Sequence, residues 1–159
     1  MTRRDLDIAA MYTQYGALVR RRIRRFFSDE EADDVLQEVF TRVITSQGTF
    51  RGDSSPATWL YQVTTRHCLN RLRDRTRRDE LWVERGAVYW SQPAASADQE
   101  ARARLAQVWR HMDDETVAIG VYYHLDGLTH ERIAELMGCS RRTVGNRLAE
   151  LADRTRGAK

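Results

Sequence analysis

The chain has 159 residues, of which 42% are hydrophobic and 31% charged, and a formal net charge of +3. That length admits one domain or two small ones, and no run approaches the roughly 20 apolar residues of a membrane-spanning helix. Two cysteines, Cys68 and Cys139, stand far apart and give neither a disulfide framework nor a metal spacing.

His67, His111, His124 and His130 form no recognisable metal or nucleophile motif with Cys or Asp, and no glycine-rich phosphate loop occurs. His67 adjoins Cys68, but successive helical residues point about 100° apart, so joint ligation is not expected. The expectation is therefore no metal, no cofactor, no catalytic residue and no enzyme. Residues 1–15 carry arginines without an uninterrupted apolar stretch, so no secretory signal is read there and the cytoplasm is the expected compartment. Charge is distributed unevenly: basic residues cluster at 20–25 and 66–78, acids at 29–38. Separate faces for separate partners follow, and a clustered basic face is what a nucleic-acid binder presents.

In chain order, residues 5–27 carry Ile8, Tyr12, Tyr15, Val19, Ile23 and Phe26 at helical spacing. Ser28 and Glu31 then make a capping box, and Ala32, Val35, Leu36, Val39, Phe40, Val43 and Ile44 recur every three or four residues, predicting a second helix that Gly48 ends. Its polar side holds Asp33, Asp34, Gln37, Glu38 and Thr41, spaced about one turn apart. A loop over residues 49–54 follows, with Phe50 set among Arg51, Gly52, Asp53 and Ser54. Ser55 and Pro56 restart a helix as cap and first position. Leu60, Val63, Cys68 and Leu72 suit packing on the second helix, while Arg66, Arg71, Arg73, Arg75, Arg77 and Arg78 crowd the later turns.

From residue 79 to about 101 the periodicity fails. Trp82, Tyr89 and Trp90 precede a small-residue stretch around Pro93, which reads as a linker. Beyond it, Leu105, Val108, Trp109 and Met112 share a helical face. Asp113 or Asp114 can cap the next helix, and Asp126 with Gly127 stops it. Thr129 can cap a short helix, Gly138 supplies a turn, and Ser140 caps a last helix carrying Val144, Leu148 and Leu151. Ala134, Gly138 and Val144 have the spacing of a helix-turn-helix, in which a small residue permits close crossing. The last helix presents Arg141, Arg142, Thr143, Asn146 and Arg147 early, where such helices meet base edges in the major groove. The fold class predicted is all-α: two small helical domains, 1–78 and 101–159, joined by a linker at 79–100, the second a helix-turn-helix.

The middle of the first domain suits an unpaired base. Phe50, Trp59 or Tyr61 could stack on one, at about 1–3 kcal/mol per base, although Trp59 fits the core as well. Asp53, Ser54 and Gln62 could meet a base edge, with Arg51 beside them and Arg66, Arg71 and Arg73 on the backbone. Opening about ten base-pair steps costs on the order of 14 kcal/mol, more than a few stacks return. A protein using this site needs a large partner, and the acidic strip is the natural place for a basic helical surface to dock.

The segments DDVLQEVF, FRGDSSPATWLY and the arginine-rich tail together resemble the second conserved region of bacterial sigma factors, in the small extracytoplasmic-function (ECF) group. The helix-turn-helix resembles the fourth region, although Met112-Asp113 stands where a Leu-Pro pair commonly opens that segment in the family. The resemblance implies a promoter-specificity subunit of RNA polymerase. Asp33, Asp34, Gln37, Glu38 and Thr41 would meet the clamp coiled coil of the β′ subunit, with the β subunit a further contact. The Phe50 loop and the residues named with it would capture the unpaired −10 strand, and Thr129, Ser140, Arg141, Arg142, Thr143, Asn146 and Arg147 would serve the −35 duplex. Arginine at position 66 departs from the small or amide side chain expected there, so a base preference different from the family's is expected. An anti-sigma protein as inhibitor is a further implication. The alternative is a stand-alone helix-turn-helix regulator of duplex operators, which would have no use for the Phe50 loop or the acidic strip.

Overall fold

Asp7 opens the first helix: its carboxylate accepts from the Ala10 amide at 3.0 Å, and α1 runs Ile8–Ile23. The computed structural model describes residues 7–84 and 111–157, and among these every regular element is helical. Helix α2 spans Asp29–Ser46 and tightens into a 3₁₀ turn at Gln47–Thr49. Ser28 stands at the cap position, its carbonyl accepting from the Ala32 amide at 3.1 Å, but its hydroxyl donates to the Glu31 carboxylate at 3.2 Å instead of accepting from a first-turn amide as a capping box would have it. Helix α3 begins at Pro56, with the Ser55 hydroxyl accepting from the Thr58 amide at 3.2 Å, and continues past Arg78 to Glu84. Residues 79–84, expected in the linker, are thus helical. The rest of that linker, with Tyr89 and Trp90, and the helix expected around Leu105, Val108 and Trp109 lie outside the described residues.

The chain divides into two compact units, Met1–Cys68 and Leu69–Lys159, with the division inside α3. In the first, α1 packs on α2. Val19, Ile23, Phe26 and Phe27 are buried, as are Val35, Val39, Phe40 and Val43 from α2 and Trp59, Leu60 and Cys68 from α3. Two expected core positions differ. Ile44 is 55% exposed, and Tyr12 is 50% exposed, its ring meeting Phe40 edge-on at 4.8 Å. Ile44 lies about 100° round the helix from Val43, off the edge of the buried arc.

Arg22 reverses a second expectation. Grouped by sequence with the basic cluster at 20–25, which a binding face would expose, it is 6% exposed. Its guanidinium stands 4.4 Å from the Tyr61 ring centroid and 5.1 Å from that of Phe26, and its Nε donates to the Thr65 hydroxyl at 3.1 Å. A charge can be held inside when aromatic faces and an acceptor replace water. Thr64 and Thr65 are buried beside it with their hydroxyls donating to the Leu60 and Tyr61 carbonyls, each at 2.7 Å.

In the second unit, Asp113 is the residue that caps helix α4, Asp114–Gly120. The chain then widens into a π turn at Val121–Leu125, seen in the Asp126 amide donating to the Val121 carbonyl at 3.1 Å. A Cβ on Gly120 would stand 2.5 Å from Leu151 Cδ2, so glycine is what lets α4 approach the last helix closely. Helix α5, His130–Met137, is capped by Thr129 and ended by Gly138 at φ 64°, a left-handed turn that only glycine adopts without strain. Helix α6, Arg141–Gly157, packs on both α4 and α5 through Val144 and Leu151. Helices α5 and α6 are the helix-turn-helix that the sequence predicts.

Candidate polymerase and nucleic-acid interfaces

The polar strip of α2 is exposed along Asp33, Asp34, Gln37 and Thr41 and half-buried at Glu38. Two of its carboxylates already hold partners within the first unit. Arg20 reaches Asp33 at 3.1 Å, and His67 Nε2 lies 2.9 Å from a Glu38 oxygen. The Thr41 hydroxyl donates to the Gln37 carbonyl at 2.9 Å. The side chains of Asp34 and Gln37 make no hydrogen bond or ion pair among the described residues. Ile44 extends the exposed side of α2, an apolar neighbour that helical periodicity had assigned to the core.

In the loop, Arg51 and Asp53 are exposed and Ser54 half-buried. Trp59 is 8% exposed and belongs to the core, the second of the two readings its sequence position left open, and so offers no free face for stacking. Its ring instead supports Phe50, the centroids 5.3 Å apart and the planes inclined by 60°. Phe50 itself remains half-exposed, held from behind by the indole. Tyr61 and Gln62 are half-buried, and the Tyr61 face is occupied by Arg22. Arg66 is exposed one turn beyond Gln62. Arg71 and Arg73 are half-buried; inside the second unit Arg73 pairs with the Asp114 carboxylate and reaches the Met112 carbonyl at 3.4 Å.

Along the helix-turn-helix, the hydroxyls of Thr129 and Ser140 serve as caps, accepting from the amides of Arg132 at 3.3 Å and Thr143 at 3.0 Å. Thr143 is 2.9 Å from Ser140 through its own hydroxyl. Arg141 pairs with Glu131 at 2.8 Å, and Arg147 donates to Asp113 at 3.0 Å. Asp113 thereby receives three donors: the Thr116 amide at 3.0 Å, the Thr116 hydroxyl at 2.7 Å and the Arg147 guanidinium. Partial burial pushes its carboxyl up, but the Thr116 hydrogen bonds and the Arg147 charge outweigh that and hold it below its ordinary value. The Glu131 carboxyl is also lowered, by its own backbone amide and the Thr129 hydroxyl first, with Arg141 and His130 adding to them. Arg142 and Asn146 are exposed and make no hydrogen bond or ion pair among the described residues.

The holders of these side chains, Arg20, His67, Asp113 and Glu131, are what sequence reasoning missed. Glu131 alone had a local signal, a carboxylate in the first turn of α5 facing an arginine in the first turn of α6. Among the described residues no group of His, Cys, Asp and Glu is arranged to hold a metal ion, and no helix is long and apolar enough to cross a membrane.

Residues 11–78 match the sigma-70 region 2 family and residues 121–150 match sigma-70 region 4. The chain is 30% identical over 159 residues to the RNA polymerase sigma-H factor of Pseudomonas aeruginosa, spanning 92% of this chain and 81% of that one. The chain is a sigma factor. It falls in the ECF group, being also 27% identical over 150 residues to the ECF RNA polymerase sigma-E factor of Escherichia coli K12, across 87% of this chain and 78% of the other. The fold agrees: the sigma factor RpoE of Bartonella quintana, solved in complex with the anti-sigma factor NepR, superposes with a TM-score of 0.51 at 16% identity, over 93% of each chain. This sigma factor is accordingly a promoter-specificity subunit that binds core RNA polymerase and promoter DNA. A stand-alone operator-binding regulator is not favoured, because the region 2 match takes in the acidic strip and the Phe50 loop that such a regulator would not need.

Proposed function

We propose that this sigma factor docks on the β′ clamp of core polymerase through the open side of α2, centred on Asp34, Gln37 and Thr41 with Asp33 and Glu38 at its margins. The observation that carries this reading is the unengaged Asp34 carboxylate on a helix whose opposite side is wholly committed to the core. The Phe50 loop, backed by Trp59, takes an unpaired base of the −10 element. Asp53, Ser54 and Gln62 meet its edge, while Arg51 and Arg66 hold the strand's backbone. Helix α6 serves the −35 duplex through Arg142 and Asn146, with Thr143 and Arg141 flanking. Residues 1–78 and 101–159 are the two working domains. The protein acts in the cytoplasm, catalyses no reaction of its own, and is a candidate for inhibition by a protein that covers these faces, as an anti-sigma factor accompanies the Bartonella protein.

Charge reversal at Asp34 and Glu38 tests the docking face. The double variant is expected to fall out of a pull-down with core enzyme and to lose run-off transcription, while keeping its helical circular-dichroism spectrum. Unchanged core binding would overturn the assignment of that face.

A further inference from the structure

Three glycines with described surroundings lie within helical stretches, and they differ in what a side chain there would meet. At Gly120 an added Cβ would press on Leu151, and at the buried Gly16 it would come into ordinary contact with the Tyr12 ring, at 3.9 Å. At Gly145, in the interior of α6, an added Cβ would meet nothing within 4 Å. Its backbone is ordinary right-handed helix. An interior glycine weakens a helix relative to alanine, so the position carries a cost that nothing inside the protein repays.

What lies around it outside the core is informative. Turning about 100° per residue from the buried Val144 and Leu151 brings Arg142, Asn146 and Ala149 to the outward side of α6, with the half-buried Gly145 on the flank beside them. Arg142, Asn146 and Ala149 are exposed, whereas Arg147 is half-buried and tied to Asp113. The outward side is therefore shallow, with one long arginine at its N-terminal end and small residues behind it. A helix with ordinary side chains is about 10–12 Å across, which already fills a major groove about 12 Å wide. The amide of Asn146 is short, so a bulky neighbour that held the helix away from the groove floor would cost its base contact before that of the longer Arg142.

We propose that Gly145 is a clearance position, whose missing side chain lets α6 seat deeply enough in the −35 major groove for Asn146 to read a base edge. This rests on the reading of α6 as the −35 element's partner. Arg147 is on this account a positioning residue that fixes the helix against Asp113 rather than a reader.

The test uses full-length protein in holoenzyme with core polymerase, on a promoter selected by run-off transcription from a library randomised in the upstream element. Gly145→Ala should raise the melting temperature of the protein by a few degrees. Gly145→Leu should weaken holoenzyme binding to the selected promoter by about tenfold, the scale of one lost bidentate base contact, and should flatten discrimination against −35 variants as Asn146→Ala does. Because one contact is at stake, the Gly145→Leu/Asn146→Ala double variant should be no weaker than either alone by more than about twofold. If Asn146→Ala loses discrimination and Gly145→Leu does not, clearance is refuted while the reading of α6 stands. If neither these variants nor Arg142→Ala affects discrimination, the reading of α6 falls and the proposal falls with it.

Discussion

Helices α2 and α6 are built on one plan with the charges exchanged. On α2, the flanking carboxylates of Asp33 and Glu38 are held by Arg20 and His67, and the acid between them, Asp34, is open. On α6, the flanking arginines Arg141 and Arg147 are held by Glu131 and Asp113, and Arg142 is open. A face that must meet a basic partner keeps its acids in place with an arginine and a histidine of its own unit, and a face that must meet phosphate and base edges keeps its arginines in place with acids of its own unit. The difference is in what else a holder is tied to. The holders on α6 include a helix cap, so Arg147 shares Asp113 with the first turn of α4, whereas the Arg20 and Asp33 side chains are 40% and 61% exposed and can be traded for a partner's charges at little cost.

The sharpest way to break the parallel is to substitute the open and the held charge of each helix separately. Asp34→Lys is expected to weaken core polymerase binding by about 100-fold or more, since a like charge placed against a basic partner costs several kcal/mol. Asp33→Ala should cost less than about fivefold, because that carboxylate is already engaged on an exposed surface. Competition binding with labelled core enzyme measures both, and equal losses would mean that the bridges are formed only in the free protein. On α6, Arg142→Ala is expected to cost about 1–3 kcal/mol of promoter affinity and to relax one position of the −35 element. Arg147→Ala should leave the sequence preference unchanged while lowering stability. Holoenzyme binding to single-base promoter variants distinguishes the two, and a shifted preference in Arg147→Ala would make it a reader.

What the sequence revealed, and what it concealed, divides at the same place. The caps Ser55, Thr129 and Ser140, the stripe from Ala32 to Val43 and the Gly138 turn are local, each set by residues within one or two turns, and all are found as the spacing predicts. Arg22 was illegible because the groups that make its burial tolerable, Tyr61 and Thr65, come from a helix some forty positions away. Trp59 stood equally between core and surface until Leu60 and Cys68 were seen buried beside it. The same distance hid the sorting of charges: Glu38 finds His67 across 29 positions and Asp113 finds Arg147 across 34. Composition and periodicity could place a charged strip on a face, but only tertiary pairing says which members of the strip are spent.

Asp113 gives the smaller effects. Asp113→Ala removes a helix cap and the anchor of Arg147, and should destabilise the second unit by about 1–2 kcal/mol in chemical denaturation. Asp113→Asn is the finer instrument, since asparagine caps about as well as aspartate, so that only the ionised carboxylate is lost. In the folded protein the Asp113 carboxyl lies below its ordinary value of 3.8. A group depressed on folding stabilises at pH values above its unfolded pKa, and that contribution disappears as pH falls through the folded value. The stability difference between wild type and Asp113→Asn should therefore be positive and flat from neutrality down to about pH 5, shrink through pH 4, and vanish below the folded pKa. It should stay within about 1 kcal/mol, because the pair is partly solvated. A difference that persisted at pH 2 would show that Asp113 holds α6 by shape and hydrogen-bond geometry alone, and the likeness between the two helices would then not extend to their charges.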